Sequence, residues 1–222
     1  MMERILEPEL MEDMEQVLAY ARADFAASHQ LRVTWFHERL GTSVTPTSIL
    51  DLCCGSGDMT FRFARAFSQS HILGVDGSQA MIEIARQDVQ AEPDLAARIE
   101  FKQAFLPDES LPRKGYDMVM SHSALHHFHD PRVLWDAIRM HSPSGSIVFV
   151  SDLRRVGSVA EAKQIVNERA GNEHPLLQHD FAASLCAAFT PQEVQSQLDA
   201  AGLSQLNVEA IGDVYLLVYG RV

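Results

Sequence analysis

Two aspartates and a close pair of glycines are the residues of this chain whose types and spacing point most directly to chemistry. Asp51 stands in the short apolar run Ile49 to Leu52, and Cys53, Cys54, Gly55, Ser56 and Gly57 follow it. Met59, Phe63 and Phe67 then recur at steps of four, so the stretch reads as a buried strand, a tight glycine turn and a helix start. Such a turn brings bare backbone and a helix N-terminus up to a ligand with no Cβ between them. Asp76 ends a second apolar run, His71 to Val75, 19 residues beyond Gly57, with Gly77 and a helix-starting Ser78 behind it. A carboxylate at the tip of a neighbouring strand can accept two hydrogen bonds from a ribose diol, as in nucleotide-binding α/β sheets. The third glycine of a dinucleotide fingerprint would fall at Thr60, so that match is incomplete. Asp51 also suits the ammonium group of an amino acid, held directly or through water. A plain βα turn explains the two glycines alone equally well.

Histidines supply a second candidate chemistry. Of ten, five fall between residues 122 and 141. His122, His126, His127 and His129 sit at or just past a strand predicted over Tyr116 to Ser121. An imidazole titrates at about pH 6.5, so one of them can take a proton from a hydroxyl or an amine. His122, one residue past the strand, is best placed, and the cluster can equally be structural. No metal site is expected, because zinc needs converging ligands and the adjacent His126 and His127 tend to point apart. Cys54 and Cys186 would be nucleophiles only with depressed pKa values, which nothing nearby in the sequence provides. Asp152, Arg154 and Arg155 follow the fifth strand, where they either orient a polar acceptor or form a solvated exit from the sheet.

Asp51-Leu52-Cys53-Cys54-Gly55-Ser56-Gly57, with Gly74-Val75-Asp76-Gly77-Ser78-Gln79-Ala80-Met81, resembles motifs I and II of the class I S-adenosylmethionine (SAM)-dependent methyltransferases. Tyr116 to Phe128 is similar to their motif IV and the turn after it, and the three motifs keep the family's order and spacing over residues 49 to 128. The resemblance implies methyl transfer from SAM to a small-molecule acceptor, with S-adenosylhomocysteine (SAH) as product. It implies a cofactor site built from Asp51, Cys53, Gly55, Ser56, Gly57, Asp76, Gly77, Met81, Ala104, Phe105 and Ser121, with Met81 open to a core role instead. His122, His126 and His127 are the candidate bases on the acceptor side. Cys53 departs from the family, which most often has its first glycine there. Ala104-Phe105 stands where many members carry Gly-Asp, so a ring contact from Phe105 is expected in place of an acidic contact to the adenine amino group. No carboxylate stands at the end of the fourth strand, where metal-dependent catechol-type members keep one. Two other readings stay open: a SAM-binding protein without methyl transfer, and an NAD(P)-linked oxidoreductase, disfavoured by the missing third glycine and by the closing hairpin.

Composition narrows the partners. The 222 residues carry 30 Asp and Glu against 18 Lys and Arg, a net charge of −12. A grip on phosphate backbones needs clustered cations, so nucleic acid is not an expected partner. A hydrophobic content of 46% agrees with one α/β domain large enough for a substantial core. Three cysteines make no disulfide framework and fit a reducing cytoplasm. The N-terminus lacks a signal-peptide pattern, and no stretch approaches the roughly 18 apolar residues of a membrane span, so a soluble cytoplasmic protein is expected. Monomer and homodimer both stay open.

The elements that must position these residues read as a Rossmann-like, mostly parallel seven-stranded sheet with a C-terminal antiparallel hairpin and helices on both faces. Residues 1–45 are expected to form a helical lid, as this region often does in the resembling family, or else plain packing on the sheet edge. Its first face is read as Met14, Leu18, Ala21 and Phe25, its second as Val33, Phe36 and Leu40, with Tyr20, Phe25 and Trp35 as candidate lid side chains. Residues 46–152 form the SAM-binding core, where Ser78 caps a helix carrying Met81, Ile82, Ala85 and Val89. A further helix of the core starts at Asp130-Pro131. Residues 153–189 are a substrate-side insertion, helical over Val159 to Ala170 and interrupted by His174 to Phe181. Residues 190–222 carry a capping box, Thr190-Pro191-Gln192-Glu193, a helix stopping at Gly202, and strands over Leu203 to Ala210 and Tyr215 to Gly220.

Overall fold

A computed structural model describes residues 2–108, 111–112 and 115–222. Its strands are β1 (Ser48–Leu52), β2 (His71–Asp76), β3 (Ile99–Gln103), β4 (Met118–His122), β5 (Ile147–Leu153), β6 (Asn207–Ile211) and β7 (Tyr215–Arg221). They form one sheet in the order β3-β2-β1-β4-β5-β7-β6. The first five run parallel, whereas β7 pairs antiparallel with both β5 and β6. The expected seven-stranded, mostly parallel sheet with its closing hairpin is therefore the observed one. The strand order reverses between β1 and β4, which opens a crevice at the carboxyl ends of those two strands.

Nine helices surround the sheet among the described residues: α1 (Met14–Arg22), α2 (Ala26–Leu40), α3 (Asp58–Ala66), α4 (Gln79–Gln90), α5 (Pro93–Ala96), α6 (Arg132–His141), α7 (Val159–Ala170), α8 (Pro175–Ala187) and α9 (Pro191–Ala201). The period of two along each strand sends alternate side chains to opposite layers. Leu50, Val119 and Val148 pack with Leu134 and Trp135 of α6 and Val194 and Leu198 of α9. Ile49, Met118 and Phe149 pack on the other face with Phe36 of α2, Phe63 of α3 and Ile82 of α4. Phe36 is fully buried, its ring 5.3–5.6 Å from those of Phe63, Phe67 and Phe149. Truncating it to Ala should cost about 3–5 kcal/mol. The carboxyl half of α2 is thus fixed to the core.

Several local expectations shift. Met14 is largely exposed and Val17 is the buried residue of α1, so the face lies one step round from the predicted one. His174 to Phe181 does not interrupt the helical insertion but starts α8, with Pro175 in its first turn and His174 Nδ1 accepting the Leu176 N–H. Proline fixes φ and loses an N–H that is spare in a first turn, so it opens a helix as readily as it breaks one. Asp130 accepts the Arg132 N–H, and α6 begins one residue later than predicted, after Pro131. The capping box of α9 forms as expected, and Gly202 ends that helix in the left-handed region. Strand β6 starts at Asn207, because Leu203 and Leu206 pack into the core beneath it instead.

Candidate functional site

Asp51 lies in β1 and Cys53 to Gly57 follow it, Asp76 ends β2 with Gly77 next, Ala104 and Phe105 follow β3, and Ser121 and His122 end β4. All face the carboxyl edge of the parallel strands, so one end of the sheet gathers sequence segments 70 residues apart. The connection is covalently remote but direct. Asp76 Oδ2 accepts the Gly55 N–H and Oδ1 accepts the Ser78 N–H, both at 2.8 Å. Burial nonetheless raises the Asp76 carboxyl above its usual range, against the pull of those two N–H groups.

The glycine turn is shaped by two different constraints. Gly55 has φ of 55°, and a Cβ built there meets nothing within 4 Å, so its bare side opens on free space. Gly57 has φ of 88°, and a Cβ there would lie 2.7 Å from Phe101 Cζ. Gly55 leaves room for a ligand and Gly57 leaves room for the core. Cys53, where a glycine is usual in the resembling family, also sits in the left-handed region with φ of 59°. Its thiol and that of Cys54 are pushed up by burial and by the nearby aspartates, which removes both as nucleophiles.

Asp51 is 1% exposed and accepts the Thr60 hydroxyl at 2.6 Å. Burial outweighs that bond and pushes its carboxyl up to about 7. A narrow cleft beside it, too tight in this conformation to admit a water molecule, is lined by Asp51, Met59, Phe63, Met120, Ser121, His122, Phe149 and Ser151. The Ser121 hydroxyl there is buried without a hydrogen-bond partner, an arrangement that costs about 1–3 kcal/mol unless a ligand or water meets it. Phe105 is 57% exposed and lies beside Gly77 just past β2, a glycine that Leu10 also approaches, whereas Met81 is 4% exposed inside α4. Ser56 is half-buried in the turn, and Ala104 is buried in the core.

The histidine cluster divides. His122 Nδ1 lies 2.7 Å from Ser151 Oγ and its Nε2 lies 3.2 Å from Ser123 Oγ. Burial, with Arg32 and His29 nearby, lowers its pKa well below the ordinary value, so the ring is neutral. An aromatic chain reaches it from the N-terminal helices, Tyr20 to Phe25 to His29 to His122, with ring centroids 5.1, 4.9 and 4.8 Å apart. Trp35, grouped with those side chains on sequence, instead packs in the core against Tyr215. His126 and His127 turn away from the cleft. His126 Nδ1 meets Asp152 Oδ1 at 2.5 Å, and His127 Nδ1 meets the Pro8 carbonyl at 3.1 Å. For His126, burial pulls the pKa down but the Asp152 and Glu7 carboxylates pull harder, and the net direction is up. His127 is held down to about 3 by burial and by His126.

Asp152 and Arg155 form neither the acceptor-facing group nor the solvated exit read from sequence. Asp152 is 2% exposed and accepts the N–H groups of Ala124 and Leu125, while Arg155 is buried and pairs with Glu193 at 2.6 Å. Arg154 donates to the Gly212 and Asp213 carbonyls of the hairpin turn. Sequence reasoning also missed Thr60, which it weighed only as an absent glycine, and the N-terminal strap. In that strap Arg4 donates to the carbonyls of Ala187, His126 and Phe128 and lies over the Phe189 ring. Nothing in the spacing of residues 4–10 signals these partners, which lie more than 100 positions away.

A methyltransferase-domain family model matches residues 49–145. A demethylmenaquinone methyltransferase of Lactococcus lactis is 31% identical over 150 residues, which is 67% of this chain and 58% of that protein. The chain thus spans less than two thirds of that relative's length. A Listeria monocytogenes demethylmenaquinone methyltransferase is 26% identical over 170 residues, 75% of this chain and 70% of that one. Among solved structures, the plantazolicin methyltransferase BpumL, in complex with a triazolic desmethylPZN analog and SAH, has a TM-score of 0.69 at 16% identity, covering 92% of this chain and 89% of its own. A SAM-dependent methyltransferase from Aquifex aeolicus has the same TM-score at 13% identity, covering 94% and 98%. At these identities the structural likeness is one of fold.

Proposed function

Since this chain belongs to the class I SAM-dependent methyltransferases, we propose that it transfers a methyl group from SAM to a small-molecule acceptor. The observation that carries this reading is the pairing of Asp76 with the Gly55 N–H, beside a Gly55 whose bare face opens on free space. Asp76 would take the ribose hydroxyls, Gly55 and Ser56 would line the methionine part, Gly57 would seat the turn on Phe101, and Asp51 would face the ammonium group. The buried Ser121 hydroxyl, lacking a partner, and the once-bonded Asp51 supply acceptors and donors that suit such a ligand. Cys53 holds the turn's backbone, while Gly77, Met81, Ala104 and Phe105 would flank the adenine, with Phe105 as the ring contact.

Bound SAM supplies a methyl group already activated by its sulfonium. What the chain must add is alignment of an acceptor in a dry cleft, which accounts for much of the available rate gain. His122 is the base of this reading: neutral, held by Ser151 and Ser123, and bordering the same cleft as Asp51. His126 and His127, with their contacts to Asp152 and the strap, are not assigned to proton transfer. Residues 1–45 and 153–189 would close over the ligands, with α2 hinged on its buried carboxyl half.

The relatives are named for demethylmenaquinone, so a quinol is the first acceptor to assay. Calorimetry with SAM, SAH and NADH, followed by labelled-methyl transfer to a quinol and to a metabolite pool, tests the reading. Binding of SAM and SAH with label in product is expected. NADH binding without SAM binding would favour an oxidoreductase, and SAH binding with no labelled product from any acceptor would favour a SAM-binding protein without transfer.

A further inference from the structure

Glu7, His126 and His127 bring three metal-ligating atoms within 4.8 Å of one another, at a place the methyl-transfer reading leaves unused. The group unites the N-terminal strap with the 3-10 turn Leu125–His127 that follows β4. Adjacent histidines were expected to diverge, yet this turn sets the His126 and His127 ring centroids 4.3 Å apart at 37°.

Three features prepare the site. Asp152 Oδ1 lies 2.5 Å from His126 Nδ1, while its other oxygen accepts the Ala124 and Leu125 N–H groups at 2.9 and 2.7 Å. A carboxylate bound in this way keeps the proton on Nδ1 and directs the Nε2 lone pair outward, the support that metal-bound imidazoles commonly have. Second, Glu7 is only 9% exposed, and its Oε1 is buried with no hydrogen-bond partner, whereas Oε2 accepts the Ser184 hydroxyl at 3.2 Å. Third, His126 Nε2 and His127 Nδ1 each lie 3.5 Å from that Oε1. This is long for a hydrogen bond. It is close to the edge of a tetrahedron whose ligands stand about 2.0–2.1 Å from zinc, which is about 3.4 Å.

Two contacts oppose an ion and are outweighed. His127 Nδ1 also lies 3.1 Å from the Pro8 carbonyl, a contact that a coordinate bond would replace. Arg4 brings a positive charge to the His126 carbonyl, but the carboxylates of Glu7 and Asp152 together exceed it. Two imidazoles and one carboxylate suit zinc, cobalt and similar ions rather than calcium or magnesium.

We propose that Glu7, His126 and His127 bind a divalent transition-metal ion, with a fourth position left to water, and that the ion fastens the N-terminal strap to the turn after β4. The inference does not rest on methyl transfer, since it is measured without SAM or acceptor. The full chain, stripped of metal, is titrated with Co²⁺ and Zn²⁺ by visible spectroscopy and calorimetry. One ion per chain with micromolar or tighter affinity, a four- or five-coordinate cobalt spectrum and slowed hydrogen exchange over residues 4–10 are expected. Glu7→Gln and His127→Gln should each weaken binding at least tenfold, whereas His71→Gln, on an exposed residue at the start of β2, should not. The absence of a cobalt spectrum and of binding heat overturns the proposal. So does binding that survives both Glu7→Gln and His127→Gln. Should either variant fail to fold, the spectrum and stoichiometry of the unaltered chain decide.

Discussion

Asp76 Oδ2 accepts the backbone N–H of Gly55 at 2.8 Å, so the tip of β2 and the turn after β1 are held as one unit. Replacing Asp76 with Ala should weaken SAH by about 1.5–3 kcal/mol, the range for charge-assisted hydrogen bonds lost to a ligand. Calorimetry on a variant whose melting temperature shows it folded provides the check. Unchanged affinity would remove Asp76 from the ribose.

The two glycines of the turn should respond differently to the same substitution. Gly57→Ala drives a Cβ to 2.7 Å from Phe101 in a left-handed backbone, so it should lower stability by about 2–4 kcal/mol. Gly55→Ala meets no neighbour and should cost only about 1 kcal/mol of stability, from its positive φ, while weakening SAH at least tenfold. Urea melts and calorimetry on the pair separate these effects. Equal losses of stability would contradict the open face assigned to Gly55.

Cys53→Gly should leave stability unchanged or raise it by up to about 1 kcal/mol. Relief of the left-handed backbone at φ of 59° is offset by the greater freedom of glycine in the unfolded chain. A lower melting temperature would show that the Cys53 side chain contributes packing beyond its backbone conformation.

If Asp51 faces the cofactor's ammonium group as proposed, it should couple cofactor binding to protons. Burial holds its carboxyl up at about 7, against 3.8 ordinarily. An acid raised in this way destabilises the fold once the unfolded chain has ionised. Stability should therefore fall as pH rises from about 4 to about 7 and level off above, by at most about 4 kcal/mol. A cofactor ammonium beside Asp51 would favour the ionised form, so SAH affinity should rise with pH up to about 7 with release of close to one proton at about pH 6. Calorimetry in two buffers of different ionisation enthalpy counts that proton. Affinity flat over the window excludes Asp51 as the ammonium's partner.

His122→Gln keeps the size and hydrogen bonding of the ring and removes its basicity. It should lower kcat at least tenfold with SAM affinity kept, the lower end for a general base being nearer a hundredfold. Because burial lowers the His122 pKa well below the ordinary histidine range, activity should not fall across that range from this group. Turnover of a confirmed acceptor at the unaltered rate would leave alignment alone as the source of catalysis.

The succession of strands and helices along the chain, the glycine turn and the two aspartates were legible because each depends on near neighbours, whereas the arrangement of the strands into a sheet was implied by the family resemblance. Apolar runs of five residues, a helical step of four and a capping box at Thr190 are local patterns with local causes. Helix α8 was misread for the same reason, since Pro175 opens or breaks a helix according to what precedes it, and His174 provides the cap. The fates of the histidines could not be read in this way. His126 is clamped by Asp152, 26 residues on, and His127 faces Pro8, 119 residues back, so tertiary packing alone chose which imidazole borders the cleft. Likewise Gly55 and Gly57 are equivalent as letters. Only the placement of Phe101 from β3, which fills the space over Gly57 and leaves that over Gly55 clear, makes one a packing glycine and leaves the other with an open face.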